Sequence, residues 1–223
     1  LHLLSRRQRQ MCIRDRWLEA VVNRTNQLEA NMIVLAGDLV EGRVNEIADQ
    51  VGAYRNLKAK DGVYAVLGNH EWYHGANALE QLFESLGMDV LRNEYKVIRS
   101  QGVTMAVVGY DDPGSAHVRS GVQKFSLPKN LTDIPVVLVS HRPIPQEPLG
   151  SVNLGLSGHT HGGLYTLFQP LVAWANRGFV QGLYLINDHF YWYVSPGTGL
   201  WTGMSLRLGC LLYTSDAADD LIG

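Results

Sequence analysis

The chain has 223 residues and a formal net charge of −2, so it lacks the basic excess that an extensive nucleic-acid surface needs. No apolar run reaches the roughly 20 residues of a membrane-spanning helix. Its two cysteines, Cys12 and Cys210, stand close to the two ends, which excludes disulfides and thiolate metal sites from everything between them.

Residues 1–16 and 210–223 are interpreted as non-native. With one choice of codons, a single DNA segment encodes residues 1–15 on one strand and residues 210–223 on its reverse complement. It resembles a sequencing adapter translated by mistake, and such scars are set aside before fold reasoning. The alternative, a basic arm and an acidic tail that bind partners, leaves this complementarity to chance. The ends carry five arginines against four aspartates, so the predicted native domain, residues 17–209, has a net charge of −3.

Within residues 17–209, the first half predicts helices interleaved with strands and the second half predicts mostly strands. Apolar residues at helical spacing predict helices over 17–30, 44–59 and 77–87. Short apolar runs between them predict strands over 32–38 and 62–70. Further strands are predicted over 89–98, 103–112, 134–141, 152–163 and 183–195. This order predicts an α/β fold of the layered αββα-sandwich type.

Polar side chains stand where four of these strands end. The four runs stop at Asp38, at Asn69 with His70, at His141, and at His159 with His161. Ligands of open α/β sheets bind at the carboxyl ends of the strands, so we expect these side chains to converge. Carboxylate, amide oxygen and imidazole, without thiolate, suit Mn, Fe, Zn, Co or Ni. In an extended segment His159 and His161 would share one face, and the flanking glycines would let the backbone approach an ion or phosphate.

Each of these residues also has a structural alternative when it is taken alone. Asp38 fits a turn or a helix cap, and His141 fits a histidine that ends a strand. The GHTHGG segment is more specific, because two histidines framed by glycines have little use in packing. The ordered set of four segments is what indicates a metal site.

Together, Gly37-Asp38, Gly68–Glu71, Ser140-His141 and Gly158–Gly163 resemble the calcineurin-like metallophosphoesterase family. The resemblance covers nearly all of residues 17–209, and GNHEWYHG, GYDDPG and SPGTGLWTGMSLRLG resemble its bacterial, envelope-associated branch. It implies two metal ions, a phosphoester substrate, and a cytoplasmic or membrane-associated bacterial enzyme. Phosphomonoesters, phosphodiesters and phosphoproteins all stay open as substrates. A metal-poor binding scaffold of the same fold also stays open, since fold does not fix function.

The resemblance also implies residue roles. Asp38 would bridge the two metal ions, and the second ion would be completed by Asn69, His141 and His159. His161 would bind the first ion. His70 would lie beside the phosphoryl group, where it would stabilise charge or protonate the leaving oxygen. Two ions held in this way clamp a phosphate for in-line attack.

One part of the family pattern is absent from the sequence. Members open with a strand that ends in Asp-x-His, upstream of the segment equivalent to Trp17, and both residues bind the first metal. We therefore expect residues 17–209 to lack the first strand of the family's domain, and also its last. The first metal should then be held poorly and catalysis impaired. Two tightly held ions per chain in metal analysis by mass spectrometry would contradict this expectation.

The segment Leu164–Tyr184 is predicted to be a long apolar loop or lid beside the site. Loops next to a site on a rigid scaffold usually shape specificity. Its large apolar residues favour a lipid-like or membrane-adjacent substrate: Phe168, Leu171, Val172, Trp174 and Phe179.

Several polar residues near the motifs have two interpretations. Asp111 and Asp112 fit either a turn before Pro113 or a position that supports the metal ligands. Arg142 fits either a contact to a substrate phosphate or an ordinary exposed arginine. Glu71 is interpreted as an acid at a helix start, and His74 has no assigned role.

Overall fold

The computed structural model describes residues 17–112, 131, 133–143, 152–163 and 168–198. The ends predicted to be non-native, and Pro113, lie outside these residues. Among the helices described, none is long and apolar enough to cross a membrane.

A three-stranded parallel sheet, here called the first sheet, forms with its helices the N-terminal half. Residues 17–27 form helix α1. It is followed by β1 (Ile33–Leu35), α2 (Val44–Ile47), β2 (Val63–Ala65), α3 (Asn69–His74), α4 (Ala76–Ser85) and β3 (Asp89–Val90). The strand order is β1–β2–β3, with Ile33 opposite Val63 and Tyr64 opposite Asp89. Buried side chains of α1, α2 and α4 pack on one face of this sheet, among them Leu18, Val22, Ile47, Leu79 and Phe83.

A six-stranded mixed sheet, the second sheet, forms the C-terminal half. Its strands are β4 (Glu94–Ser100), β5 (Val103–Tyr110), β6 (Val136–Ser140), β7 (Val152–Ser157), β8 (Gly182–Asn187) and β9 (Phe190–Val194). Their order is β4–β5–β6–β7–β9–β8, and β5, β6, β7 and β9 run parallel. The outer strands β4 and β8 are antiparallel to their neighbours. Helix α5 (Gln169–Ala175) precedes β8.

The two sheets pack face to face. Alternate residues of the second sheet, such as Val107, Val137 and Val139, meet Tyr64, Val66 and Leu91 of the first half in one core. The intervening residues, Ala106, Val108 and Leu138, face away and pack with Phe179 and Trp192. Because residues 106–109 of β5 and 136–139 of β6 are buried on both faces, these stretches are apolar, as central parallel strands are. The predicted layered α/β sandwich is confirmed.

Two predicted elements are wrong in their extent. The helix predicted over 44–59 is the short α2 followed by a 3-10 helix at Gly52–Asn56. Val51 and Tyr54 still point into the core, which gives the sequence the spacing of one longer helix. The strand predicted over 89–98 is split between β3 and β4, which belong to different sheets. The break comes at Asn93, whose φ of 56° ends the extended run. Asparagine adopts this left-handed conformation more readily than most other residues.

The C-terminal predictions need two further corrections. The predicted lid, Leu164–Tyr184, contains α5 and the start of β8, while residues 164–167 lie outside the described part of the chain. Phe179 belongs to the core of the second sheet, where its ring packs against those of Tyr184 and Trp192. The run predicted as a strand over 183–195 is the β8–β9 hairpin.

Replacing Gly109 with alanine should destabilise the fold, because the added methyl group would overlap Leu91. A Cβ atom added to Gly109 would stand 2.5 Å from the carbonyl oxygen of Leu91. We expect Gly109→Ala to lower the free energy of unfolding by about 1–3 kcal/mol, the usual cost of overpacking. Gly52→Ala is the matched control, since its added Cβ meets nothing within 4 Å. Urea unfolding curves measure both variants, and equal stabilities would contradict the prediction.

Candidate metal centre

The loops that follow β1, β2, β6 and β7 meet on one side of the sandwich. Nδ1 of His141, directly after β6, lies 2.8 Å from the carbonyl oxygen of Ala36, directly after β1. The amide of Gly158, after β7, donates to the carbonyl of His141 at 3.0 Å. A proton on Nδ1 of His141 donates to Ala36 and leaves Nε2 facing the other loops. Both sheets therefore contribute to one site, where the sequence predicts that the strand ends converge.

Three side chains in this site present ligand atoms to one another. Nε2 of His141 lies 3.1 Å from Oδ2 of Asp38 and 3.1 Å from Nδ1 of His159. The ligand atoms of these three residues all lie within 4.8 Å of one another. His141 is 1% exposed, whereas Asp38 and His159 are half-buried. We call Asp38, His141 and His159 the inner cluster.

Asn69 adds an unpaired oxygen beside these loops. The residue is 7% exposed, and its Oδ1 is buried without a hydrogen-bond partner among the described residues. A buried acceptor without a donor costs free energy, so such atoms normally have a water, an ion or a ligand as partner. The strand predicted over 62–70 ends at Ala65, so Asn69 and His70 begin helix α3 instead of ending a strand. The assignment of Asn69 as a metal ligand stays a prediction.

The protonation states of two members of the inner cluster, Asp38 and His159, suit metal binding, whereas burial of His141 is outweighed by its contact with Asp38, which raises the pKa of His141. Burial alone would raise the pKa of Asp38, but contact with His141 and the amide of His70 outweighs burial and lowers this pKa to about 2. Burial, followed by the neighbouring His141 and Arg142, lowers the pKa of His159 to about 3. Asp38 is thus a carboxylate and His159 a neutral imidazole at neutral pH, the forms that coordinate metals. With the Asn69 oxygen, this donor set fits a borderline divalent cation.

The two histidines of GHTHGG lie in a turn. His159 and His161 have φ values of 67° and 51°, and the amide of Gly163 donates to the carbonyl of Thr160 at 2.9 Å. The expected extended segment, with both rings on one face, is therefore wrong. His159 joins the inner cluster, and His161 begins the 3-10 turn His161–Gly163 beside it. Its assignment as a ligand of the first metal stays a prediction.

The model of the calcineurin-like phosphoesterase family matches residues 14–163, which include all four motifs of the site. The chain belongs to the calcineurin-like phosphoesterase family.

This calcineurin-like phosphoesterase is similar to two relatives and to one solved structure described below. A metallophosphoesterase of Helicobacter pylori is 32% identical over 195 residues, which cover 86% of this chain and 51% of the relative. A transmembrane protein with a metallophosphoesterase domain from Danio rerio is 30% identical over 86% of this chain and 46% of its own. The chain thus spans about half the length of these relatives. An NAD nucleotidase from Haemophilus influenzae shares the fold, with a TM-score of 0.52 and 17% identity over 80% of this chain and 43% of that one.

Close contact between the first two loops of this phosphoesterase depends on Gly37 and Gly68. A Cβ atom on Gly37 would stand 2.6 Å from the amide nitrogen of Gly68, and one on Gly68 would stand 2.6 Å from the amide nitrogen of Asp38. Gly37 and Asp38 have φ values of 81° and 53°, so the chain reverses sharply after β1. A left-handed aspartate is uncommon and needs support from its surroundings.

Glu71 provides that support. As the sequence predicts for a helix-start acid, it accepts the amide of Gly68 at 2.7 Å. It is also fully buried and accepts three amides of the β1 loop, those of Asp38 at 2.9 Å, Leu39 at 2.7 Å and Val40 at 3.2 Å. Burial, and then the nearby Asp38, raises the pKa of Glu71. The four donated hydrogen bonds favour its ionised form in return.

Glu41 is absent from the residues that the sequence predicts for the site. Its Oε2 contacts Nδ1 of His70, and its Oε1 lies 3.1 Å from Nε2 of His74. Nε2 of His70 lies on the other side, 3.9 Å from Oδ2 of Asp38. Glu41 therefore orients the His70 ring toward the inner cluster. The only signal in the sequence was the position of this acidic residue, three residues after Asp38.

Arg142 and Asp112 support the site from the second sheet. Asp112 is fully buried and accepts Nε of Arg142 at 3.0 Å. Arg142 directly follows His141, and the positive charge of its guanidinium helps to lower the pKa of His159. Of the two interpretations of Asp112, its burial favours the position that supports the ligands. The guanidinium of Arg142 is held by Asp112 in this structure, so its predicted contact with a substrate phosphate stays a prediction.

Replacing Glu71 with glutamine should loosen the site and destabilise the fold. Each oxygen of Glu71 accepts two amide protons, and a glutamine would turn an NH₂ group toward two of these donors. We expect Glu71→Gln to lower the free energy of unfolding by about 2 kcal/mol or more. The measurement is chemical unfolding of metal-free protein. Glu84→Gln, on the exposed side of α4, is the control that should leave stability nearly unchanged, and equal curves would show that Glu71 does not hold the loops.

Proposed function

We propose that this chain carries the active site of a metal-dependent phosphoesterase that hydrolyses phosphomonoesters or phosphodiesters. The observation that supports it most strongly is the inner cluster, whose ligand atoms lie within 4.8 Å of one another at the carboxyl ends of parallel strands. The buried oxygen of Asn69, which has no hydrogen-bond partner among the described residues, would add a fourth donor. The metal would belong to the Mn, Fe, Zn, Co or Ni group, since the donors are oxygen and nitrogen.

More specifically, Asp38 is proposed to bridge two metal ions. Its two carboxylate oxygens face different partners, since Oδ1 accepts the amide of His70 at 3.0 Å and Oδ2 lies 3.1 Å from Nε2 of His141. Asn69, His141 and His159 would hold one ion with Asp38, and His161 would contribute to the other. Such ions act as Lewis acids toward a phosphoryl oxygen and toward the attacking water.

His70 is the residue proposed to act on the leaving group. Its backbone is fixed by the hydrogen bond from its amide to Asp38, and its ring is fixed by Glu41. With Nδ1 toward Glu41, Nε2 points to the inner cluster, where the scissile bond of a bound phosphoester would lie. A proton on Nε2 would stabilise charge on the phosphoryl group or pass to the leaving oxygen. Proton transfer of this kind contributes roughly 10²–10⁴-fold to rate.

Variants of Asp38 and His70 should separate metal binding from proton transfer. We expect Asp38→Asn to lose the metal of the inner cluster together with hydrolysis. We expect His70→Asn to keep the metal of the inner cluster while the rate falls by roughly 100-fold or more. The assay follows p-nitrophenyl phosphate and bis-p-nitrophenyl phosphate with added Mn²⁺, and the ratio of the two rates separates monoester from diester activity. It is run on this chain and on the whole protein encoded by its gene.

His189→Asn, in the exposed turn between β8 and β9, is the matched control. It should change neither metal content nor rate. A whole protein that neither binds metal nor hydrolyses either ester would contradict the proposal and favour the metal-poor binding scaffold. Unchanged hydrolysis by His70→Asn would contradict only the role of His70.

The substrate is further proposed to be lipid-linked or to lie at a membrane surface. Helix α5 buries none of its residues, and Trp174 is 81% exposed with Leu171 and Phe168 nearby in sequence. The helix is tied to the metal-site turn, because Nε2 of Gln169 donates to the carbonyl of Gly162 at 3.4 Å. Exposed aromatic and aliphatic groups beside a site favour contact with a lipid surface. The name of the Danio rerio relative, a transmembrane protein, agrees with this proposal.

Removing an apolar group from α5 should then affect lipid substrates selectively. We expect Leu171→Ser to lower both vesicle binding and the hydrolysis of a lipid phosphoester in vesicles, with no change toward a soluble ester. Val103→Ser is the matched control, since Val103 and Leu171 are 54% and 59% exposed and Val103 lies at the start of β5. Flotation with vesicles and parallel rate assays measure the effect. An equal change on both substrates, or the same change in Val103→Ser, would contradict a lipid-facing role.

A further inference from the structure

A second group of ligand atoms lies on the outer side of His70. Oε2 of Glu41 contacts Nδ1 of His70, and Oε1 of Glu41 lies 3.1 Å from Nε2 of His74. The three ligand atoms lie within 4.8 Å of one another. His70 and His74 are four residues apart on α3, so their rings project from the same face of the helix. We call Glu41, His70 and His74 the outer cluster.

We propose that the outer cluster is a separate cation site that takes Zn²⁺ or a similar borderline divalent ion and inhibits the enzyme when it is filled. Two imidazole nitrogens and one carboxylate oxygen are a common ligand set for zinc, which leaves a fourth position for water. The inhibitory part rests on the proposed function, because it depends on the role of His70. The binding part depends only on the geometry of the three side chains.

The exposure of the outer cluster favours reversible binding of a cation. The side chain of Glu41 is 60% exposed, and the two histidine side chains are about half as exposed or less. A cation can therefore enter without any rearrangement of the core. An exposed carboxylate and imidazole contribute little to stability as an ion pair alone, so the fold has no strong need of this arrangement. The site should hold its ion less tightly than the buried inner cluster and fill only when metal is added.

Inhibition follows from the position of protons on the His70 ring. To give a proton from Nε2, the ring must keep its other proton on Nδ1, where Glu41 accepts it. A cation bound to Nδ1 displaces that proton. A proton given from Nε2 would then leave an imidazolate, which is far less favourable than a neutral imidazole. A filled outer cluster therefore stops His70 from acting as an acid while the inner cluster keeps its own ligands.

Metal titration of the full chain tests the binding part. Co²⁺ and Zn²⁺ are titrated into the metal-free chain and into His74→Ala, with uptake followed by cobalt absorption and by calorimetry. We expect His74→Ala to take up one equivalent less, or to need a roughly 10-fold or higher concentration for that equivalent. Asp38→Asn should lose the inner equivalent and keep the outer one. His189→Ala is the control with an exposed histidine elsewhere and should match the unsubstituted chain.

Two further comparisons keep the outcomes distinct. Glu41→Gln should also lose the outer equivalent, which removes the concern that a single variant fails to fold. Where hydrolysis is measured, the ratio of rates with and without excess zinc should fall in the unsubstituted protein and stay near one in His74→Ala. Equal zinc uptake by the unsubstituted chain and His74→Ala would overturn the site, and equal inhibition would overturn its inhibitory role. Normal outer uptake by this chain, together with a whole protein that hydrolyses neither ester, would count against the proposed function alone.

Discussion

The buried carboxylate of Glu71 is the interaction on which the metal centre depends. It accepts amides from two loops, one after β1 and one after β2. These strands are parallel neighbours in the first sheet, so their carboxyl ends lie side by side and a single side chain reaches both. Without Glu71, four amides at the edge of the core would lose their acceptor, and buried amides are rarely left unpaired. The left-handed turn that presents Asp38 is stable because these amides are satisfied.

The packing of the two sheets sets the distance between the metal-site residues that come from different sheets. Asp38 comes from the first sheet, whereas His141 and His159 come from the second, so their separation depends on how closely the sheets approach. Protein interiors are packed as densely as organic crystals and deform little. The side chains of Val137 and Val139 of β6, four and two residues before His141, lie in the shared core. The 3.1 Å contact between His141 and Asp38 is thus fixed by apolar packing several residues away from it.

The sequence predicted the members of the site better than their support. The convergence of Asp38, His141 and His159 could be predicted because each follows a strand, and the carboxyl ends of parallel strands lie at the same edge of their sheet. The assignment of Asn69 as a ligand stays a prediction. Glu71 and Glu41 act across 29 to 33 residues of chain, and no local pattern shows which distant amides or rings a carboxylate will meet. The boundary between β3 and β4 was not predicted from the sequence, for a related reason. A continuous β-rich run does not reveal that its two halves pair in different sheets.

Charge links the centre to the stability of the fold. Asp38 and Glu71 are two carboxylates joined through one loop, with Glu71 fully buried, and the proximity of Asp38 contributes to the raised pKa of Glu71. Like charges in a buried region oppose folding unless nearby donors or cations offset them. The amides that Glu71 accepts offset part of this repulsion, and the imidazole of His141 offsets another part. A divalent cation in the inner cluster would offset it far more strongly, and an ion that binds the folded state alone stabilises that state by mass action. The loop geometry that Glu71 maintains and the cation that this geometry can hold therefore reinforce each other.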